Sequence, residues 1–286
     1  MATIQSNFIE VEGIQIHYLE AGSGDPVVML HGWPTNAQLW RHSLSQLGEH
    51  RRAIAIDLPG YGLSGKPLDV RYSFGLYAKI LDGVLAALGI DRVGLAVHDV
   101  GGPLGLYWAV RNPQRITSLA LLNTLVYPER SWMVWAFGIA TYVPGLRHWM
   151  SSPSGIARMI RMGVRNQAQI TDEVAELYAA PFADRDARKA LLLAVHSLSN
   201  RGFRSIGEGL GGLTMPLRII YGERDIALPD VAKTMARVAA DLPHAEVTSI
   251  PDCGHFLQED QPVRVAELLT EFFARPLDAQ APRARS

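Results

Sequence analysis

Val93-Gly94-Leu95-Ala96-Val97-His98-Asp99-Val100-Gly101-Gly102-Pro103-Leu104-Gly105 decides how the rest of the chain is read. Residues 93–97 form a short apolar run of strand type, and residues 104–110 read as the start of a helix. A strand that becomes a helix across so few residues must bend sharply. Gly101 and Gly102 supply the small residues such a bend needs, and the side chain at its tip, Asp99, is pushed out above a sheet. A carboxylate just ahead of a helix is also a good N-cap, accepting a backbone N–H. The choice between nucleophile and cap therefore rests on the rest of the chain.

Outward from this bend, the chain alternates strand and helix. Residues 8–19 alternate apolar and polar about Gly13, as a hairpin with one wet face does. Residues 26–30 (P-V-V-M-L) and 52–56 are short apolar runs of the kind buried on both sheet faces. Residues 37–47 and 73–88 read as helices, the second stopped by Gly89. Strands at 116–122, 216–221 and 245–250 and a helix at 263–273 complete the pattern. It predicts an α/β fold: a mostly parallel central sheet with helices on both faces. Between these halves the strand signal disappears. Residues 126–212 are rich in Trp, Met and Ala with helical periodicity, and read as a helical cap over the carboxyl ends of the strands. Residues 1–125 and 213–275 form the two parts of the core, and 276–286 read as a disordered tail.

The 286 residues suffice for one large α/β core with an inserted subdomain. A formal net charge of −1 without long runs of one sign gives no footprint for a nucleic-acid partner. The single cysteine, Cys253, excludes a disulfide framework and a thiolate metal site. No basic-then-apolar leader opens the chain, and the longest uncharged stretch, 131–146, is short for a span and carries Gly and Pro. The expectation is a cytoplasmic protein with no membrane partner; oligomeric state stays open.

Three further stretches bear on Asp99. His31-Gly32-Trp33-Pro34 follows a buried strand, where it is either a tight turn or a close backbone approach to a site. In the second case the N–H groups of Trp33 and Val100 converge on one oxygen as an oxyanion hole. Pro251-Asp252-Cys253-Gly254-His255-Phe256 follows the last strand and carries His255 where a loop can hold it over the sheet. Asp225 follows the strand before that one, with Glu223 as its local rival. Each residue alone has a bland reading, as a structural histidine or one more charged loop residue. Together they keep the nucleophile–acid–histidine chain order, each after a predicted strand. By strand alternation His98 faces away from the site and reads as structural.

With these stretches in place, the chain resembles the α/β-hydrolases over nearly its whole length. The resemblance lies in H-G-W-P (31–34), D-L-P-G-Y-G-L-S (57–64), V-H-D-V-G-G (97–102), G-E-R-D (222–225) and G-H-F-L-Q-E-D (254–260). Aspartate in place of serine at the bend narrows it to the branch of haloalkane dehalogenases and epoxide hydrolases. Tyr178-Ala179-Ala180-Pro181-Phe182 and G-H-F-L-Q-E-D lean towards the dehalogenases. The resemblance implies a cofactor-free, metal-free hydrolase with an Asp99–His255–Asp225 triad, acting on a small apolar molecule and water. It also marks departures. Dehalogenases usually place Trp after the nucleophile to bind halide, and here Val100 stands there. An alternative position for the acid, about Asn123, holds no charge. Trp33, Trp132, Trp135 and Trp149 are the candidates for halide binding. Tyr142 and Tyr178 are the candidates for protonating an epoxide oxygen in the alternative reading. A non-catalytic small-molecule receptor on the same fold is the reading from outside enzymology.

Overall fold

The computed structural model describes residues 1–129 and 131–275. The tail expected at 276–286 lies outside the described residues. The strands are β1 (Gln5–Val11), β2 (Ile14–Ala21), β3 (Pro26–Leu30), β4 (Arg52–Ile56), β5 (Val93–Asp99), β6 (Ile116–Thr124), β7 (Leu217–Gly222) and β8 (Glu246–Ile250). They form one eight-stranded sheet in the order β1-β2-β4-β3-β5-β6-β7-β8. β1 pairs with β2 and β2 with β4 antiparallel, and all other pairs are parallel. The β1–β2 hairpin turns through Glu12 and Gly13, both at positive φ, the backbone a tight hairpin turn demands.

Helices α1 (Arg41–Leu47), α2 (Phe74–Ala87) and α3 (Gly101–Ala109) follow β3, β4 and β5. The helix expected at 37–47 is a 3-10 turn (Ala37–Trp40) running into α1. Between β6 and β7, the described residues hold no strand. They hold α4 (Trp132–Ala140), α5 (Pro144–Met150), α6 (Pro153–Gly163), α7 (Asp172–Ala179), α8 (Arg185–Val195) and α9 (Asn200–Gly209). Each begins where the sequence signals a start: Ser131, Ser152, Thr171, Asp184 and Ser199 accept amide protons as N-caps, and α5 opens on Pro144. α10 (Val231–Asp241), α11 (Leu257–Asp260) and α12 (Pro262–Phe273) complete the chain.

β3 lies between β4 and β5, so the chain winds one way from β3 and the other way from β5. The crevice at that reversal, beyond the carboxyl ends of the strands, is where open α/β sheets bind ligands. Asp99, Asn123, Asp225 and His255 all lie at or just past the carboxyl ends of β5 to β8. The helical segment is tied to this edge by acidic residues of the G-H-F-L-Q-E-D stretch. Asp260 accepts the amide protons of Arg165 (2.8 Å), Asn166 (2.8 Å) and Gly254 (2.7 Å), and the His255 amide donates to Gly163 O (2.7 Å). Buried Glu259 takes a bidentate Arg41 and the Tyr178 hydroxyl. Removing a carboxylate that satisfies several amides orphans each of them. Asp260→Ala is accordingly expected to cost about 2–4 kcal/mol, read as a fall in the denaturant midpoint. A loss below about 0.5 kcal/mol, the range of ordinary surface substitutions, would deny Asp260 this anchoring role.

Candidate active site

Asp99 is the last residue of β5 and sits at φ +47°. That left-handed backbone is strained for a residue with a Cβ, and the ladder to β6 shifts register between His98 and Asp99. The strain is held by close packing. A Cβ on Gly101 would lie 2.4 Å from His31 O, and one on Gly102 would lie 1.6 Å from Thr124 Oγ1. Only glycine fits at either place, and Thr124 Oγ1 donates to Asp99 O (2.7 Å) across the gap. The tight passage of α3 past β3 and β6 therefore fixes where Asp99 points.

The Asp99 carboxylate is buried. Its Oδ2 accepts the Trp33 amide proton (2.8 Å), and the Val100 amide also holds the carboxylate. The turn that presents Trp33 is itself pinned. His31 donates Nδ1–H to Gly32 O (2.9 Å) and accepts the Leu58 amide on Nε2 (3.1 Å). Asp57 accepts the amides of Ala37 (2.6 Å) and Leu63 (2.7 Å). Asp99 Oδ1 faces the other way, 3.8 Å from His255 Nε2. His255 in turn meets Asp225 Oδ2 through Nδ1 at 2.8 Å. Asp225 Oδ1 accepts the amides of Ala227 and Leu228, both at 2.8 Å. Glu223, the rival acid, is exposed.

Burial and charge act on these groups in opposite senses. At Asp99, burial dominates and raises the carboxyl above its ordinary value, against the pull of His255 and the two amides. At His255, burial favours the neutral ring, but Asp225 and then Asp99 outweigh it, and the pKa is raised. At Asp225, burial opposes ionisation, yet His255 and the Leu228 and Ala227 amides hold the carboxyl below its ordinary value. The arrangement is a desolvated carboxylate, a basic imidazole and an ionised acid in line.

Two residues support this line in ways the sequence did not disclose. Asn123, at φ +28° at the end of β6, donates from Nδ2 to Asp225 Oδ2 (2.8 Å) and Gly254 O (3.1 Å). Its Oδ1 accepts the Gly222 amide (2.9 Å). It orients the acid rather than replacing it. His98, buried, bonds through Nε2 to His255 O (2.9 Å), and burial, then the neighbouring His255, push its pKa down to about 3. It stays neutral and holds the His255 backbone.

Above Asp99 lies a cavity of about 580 Å³, within the range of small-molecule sites. Asp99, His255, Trp33 and Val100 line its floor, and its walls come from the helical segment: Val134, Trp135, Phe137, Ile139, Met159 and Val195 among them. Trp33 packs edge-on against Phe137 with centroids 4.6 Å apart, and its indole Nε1 is buried with no hydrogen-bond partner among the described residues. Of the other candidates, Trp135 and Tyr142 line the cavity, with Tyr142 stacked on His196 at 4.4 Å. The remaining three correct the sequence expectation. Tyr178 is fully buried away from the cavity, its hydroxyl bound to Glu259. Trp132 and Trp149 lie on the exterior, outside the cavity lining. Periodicity marks a helix as apolar without saying which side of it meets a site, and α4 is apolar all round.

Residues 25–262 match the model of the α/β hydrolase fold family. Haloalkane dehalogenase 2 of Mycobacterium bovis is 28% identical over 277 residues, covering 94% of this chain and 95% of that one. A cis-3-alkyl-4-alkyloxetan-2-one decarboxylase of Shewanella oneidensis is 30% identical over 273 residues, 89% of this chain and 83% of that one. Among solved structures, a haloalkane dehalogenase loop variant from Bradyrhizobium elkanii superposes with a TM-score of 0.85 at 26% identity, covering 97% of this chain and 98% of that one.

A neutral imidazole and an ionised carboxylate are both lost on the acid side. Since both pKa values are raised, the acid limb of turnover is expected at higher pH than an ordinary histidine would give, with activity full only above it. Asp225→Asn removes the charge that raises His255, so the limb should move to lower pH while turnover falls by about 10³–10⁴-fold. A pH–rate profile with its limb unmoved in Asp225→Asn would rule out this coupling.

Proposed function

Because the chain belongs to the α/β-hydrolase fold family, we propose that it is a hydrolase that transfers an alkyl group to Asp99 and then to water, with a carbon–halogen bond as the bond cleaved. The observation that carries the reading is the division of labour between the two oxygens of Asp99. Oδ2 is held by the Trp33 amide, and Oδ1 is turned to His255. Oδ1 attacks the alkyl carbon in line, the C–X electron pair leaves with the halide, and an alkyl ester remains on Asp99. His255 takes a proton from water, whose oxygen attacks Cγ of the ester. The negative charge that develops on Oδ2 falls on the Trp33 and Val100 amides, which are already in place. Collapse releases the alcohol and restores the carboxylate, and the proton leaves His255 for solvent. Asp225 holds the ring and stabilises its charged form.

A serine at this position would be trapped as an ether by an alkyl substrate, whereas an aspartyl ester hydrolyses. The aspartate thus selects the substrate class. In this reading residues 126–212 are the cap, the apolar cavity leaves the carboxylate poorly solvated, and the partnerless indole N–H of Trp33 takes the departing halide in place of the Trp that Val100 displaces.

Val100 also favours a second reading, cleavage of a strained C–O ring such as an epoxide by the same triad. The decarboxylase relative is named for a four-membered cyclic ester. This reading needs one or two tyrosines, and of its two candidates Tyr142 lines the cavity and Tyr178 does not. A bound small molecule that survives purification without turnover would instead mark a receptor.

His255→Gln should form the ester without hydrolysing it, lowering turnover by about 10²–10⁴-fold. Incubated with a bromoalkane, it should gain the mass of the alkyl group without halogen, and Asp99→Asn should lose that gain. A gain equal to a whole epoxide would put the second reading first, and no adduct from either across several sizes would sink Asp99 as nucleophile. Trp33→Phe keeps the backbone amide and removes only the indole donor. It should slow adduct formation from a bromoalkane by about 10²-fold, and an unchanged rate would remove Trp33 as the halide donor.

A further inference from the structure

Helix α4 reads W-M-V-W-A-F-G-I-A and has no buried residue. An α-helix apolar all round belongs in a core or in lipid, yet Trp132 is 70% and Ile139 64% exposed. The bare face continues through Tyr142 and Val143 into α5, where Leu146 and Trp149 are exposed as well. Trp135, Ile139, Tyr142, Met162 and Ile226 are both exposed and part of the cavity lining. The apolar face therefore rims the mouth of the cavity. Its own stretch of sequence carries charges of one sign. Residues 131–171 contain four arginines and no Asp, Glu or Lys. Arg161 is paired with Asp172, while Arg147, Arg158 and Arg165 are exposed.

We propose that this rim docks on an anionic lipid surface, so that the mouth of the cavity opens onto the apolar phase. Exposed tryptophan and tyrosine sit favourably at a bilayer interface, and apolar side chains flanked by arginine lie in the headgroup boundary with the guanidinium groups on lipid phosphates. A second copy of the chain fits worse. An isologous contact sets a patch against itself, and here it would bring like-charged arginines together with no carboxylate from 131–171 to meet them. The expectation of no membrane partner rested on the missing span. Among the described residues no helix is long and apolar enough to cross a membrane, but a face that lies on the surface needs no span. The near-neutral total charge hides the local excess. What enters from the lipid rests on the alkyl-transfer reading, and docking does not.

The full chain is tested by flotation with vesicles of phosphatidylcholine alone and of phosphatidylcholine with phosphatidylglycerol, together with tryptophan emission. We expect flotation and a blue shift with the anionic vesicles, weakened by salt. Leu146→Asp should abolish both. Arg147→Glu with Arg158→Glu should cost at least about fivefold in partition per arginine reversed. Neither variant touches the cavity lining, so both should keep the melting temperature and the turnover of a short, water-soluble bromoalkane. Wild-type protein that stays with the aqueous phase, or flotation that both variants leave intact, overturns the proposal. So does a two-chain particle in solution that Leu146→Asp converts to single chains, since copies of the chain would then cover the face. Flotation is read without turnover: a protein that floats but forms no ester adduct keeps the docking and loses the alkyl-transfer reading.

Discussion

A carboxylate removed from water must be compensated or it takes up a proton. Asp99 is compensated by the Trp33 and Val100 amides and by an imidazole 3.8 Å away. The compensation is partial, since burial still raises its pKa. Much of the surrounding structure serves this one requirement. The left-handed backbone at Asp99, the glycines that let α3 pass against β3 and β6, and the pinned turn at His31 each fix a direction from which the carboxylate is held. A fully solvated carboxylate would need none of these, and it would be a poor nucleophile towards carbon.

The imidazole carries the same logic one step outward. His255 is buried, so its charged form depends on Asp225, and Asp225 depends on the amides of Ala227 and Leu228 and on Asn123. The loop that carries His255 is fastened from both sides, by His98 beneath and by Gly163 of the helical segment above. The segment that walls the cavity thus also positions His255. Glu259 and Asp260 lie a few residues past His255 on the same stretch, and they bind that segment through Tyr178, Arg165 and Asn166. Closing the site and aligning its chemistry are one set of contacts.

What the sequence disclosed follows the range of each interaction. Asp99, Asp225 and His255 were legible because each follows a strand, and in a parallel sheet every strand end reaches the same edge. The strands themselves were legible as uninterrupted apolar runs, and residues 26–30 and 52–56 match β3 and β4 residue for residue. Asn123 was legible only as an absence of charge. Its contacts to Asp225, Gly222 and Gly254 cross roughly a hundred positions or more, and no local pattern encodes them. The substrate-facing residues were least legible. Tyr178 looked like a cavity hydroxyl, but Glu259 and Arg41 gather it into the core. Trp132 and Trp135 are three positions apart on a helix with no polar side, so only the packed structure separates the one in the cavity wall from the one outside it.

The exposed face and the buried carboxylate have a common origin. A cavity that keeps water from Asp99 must be walled with apolar side chains, and here those walls come from short helices with little protein behind them. α4 presents Val134 and Phe137 inward and leaves Trp132 and Ala136 outside, and on an amphipathic helix that outer side would be polar. The sequence keeps that side apolar. Solubility alone would favour charge there at no cost to the cavity, because the outer residues do not reach Asp99. Retaining tryptophan on that side, while excluding carboxylates from the whole of 131–171, is the pattern of a surface that meets something apolar and anionic.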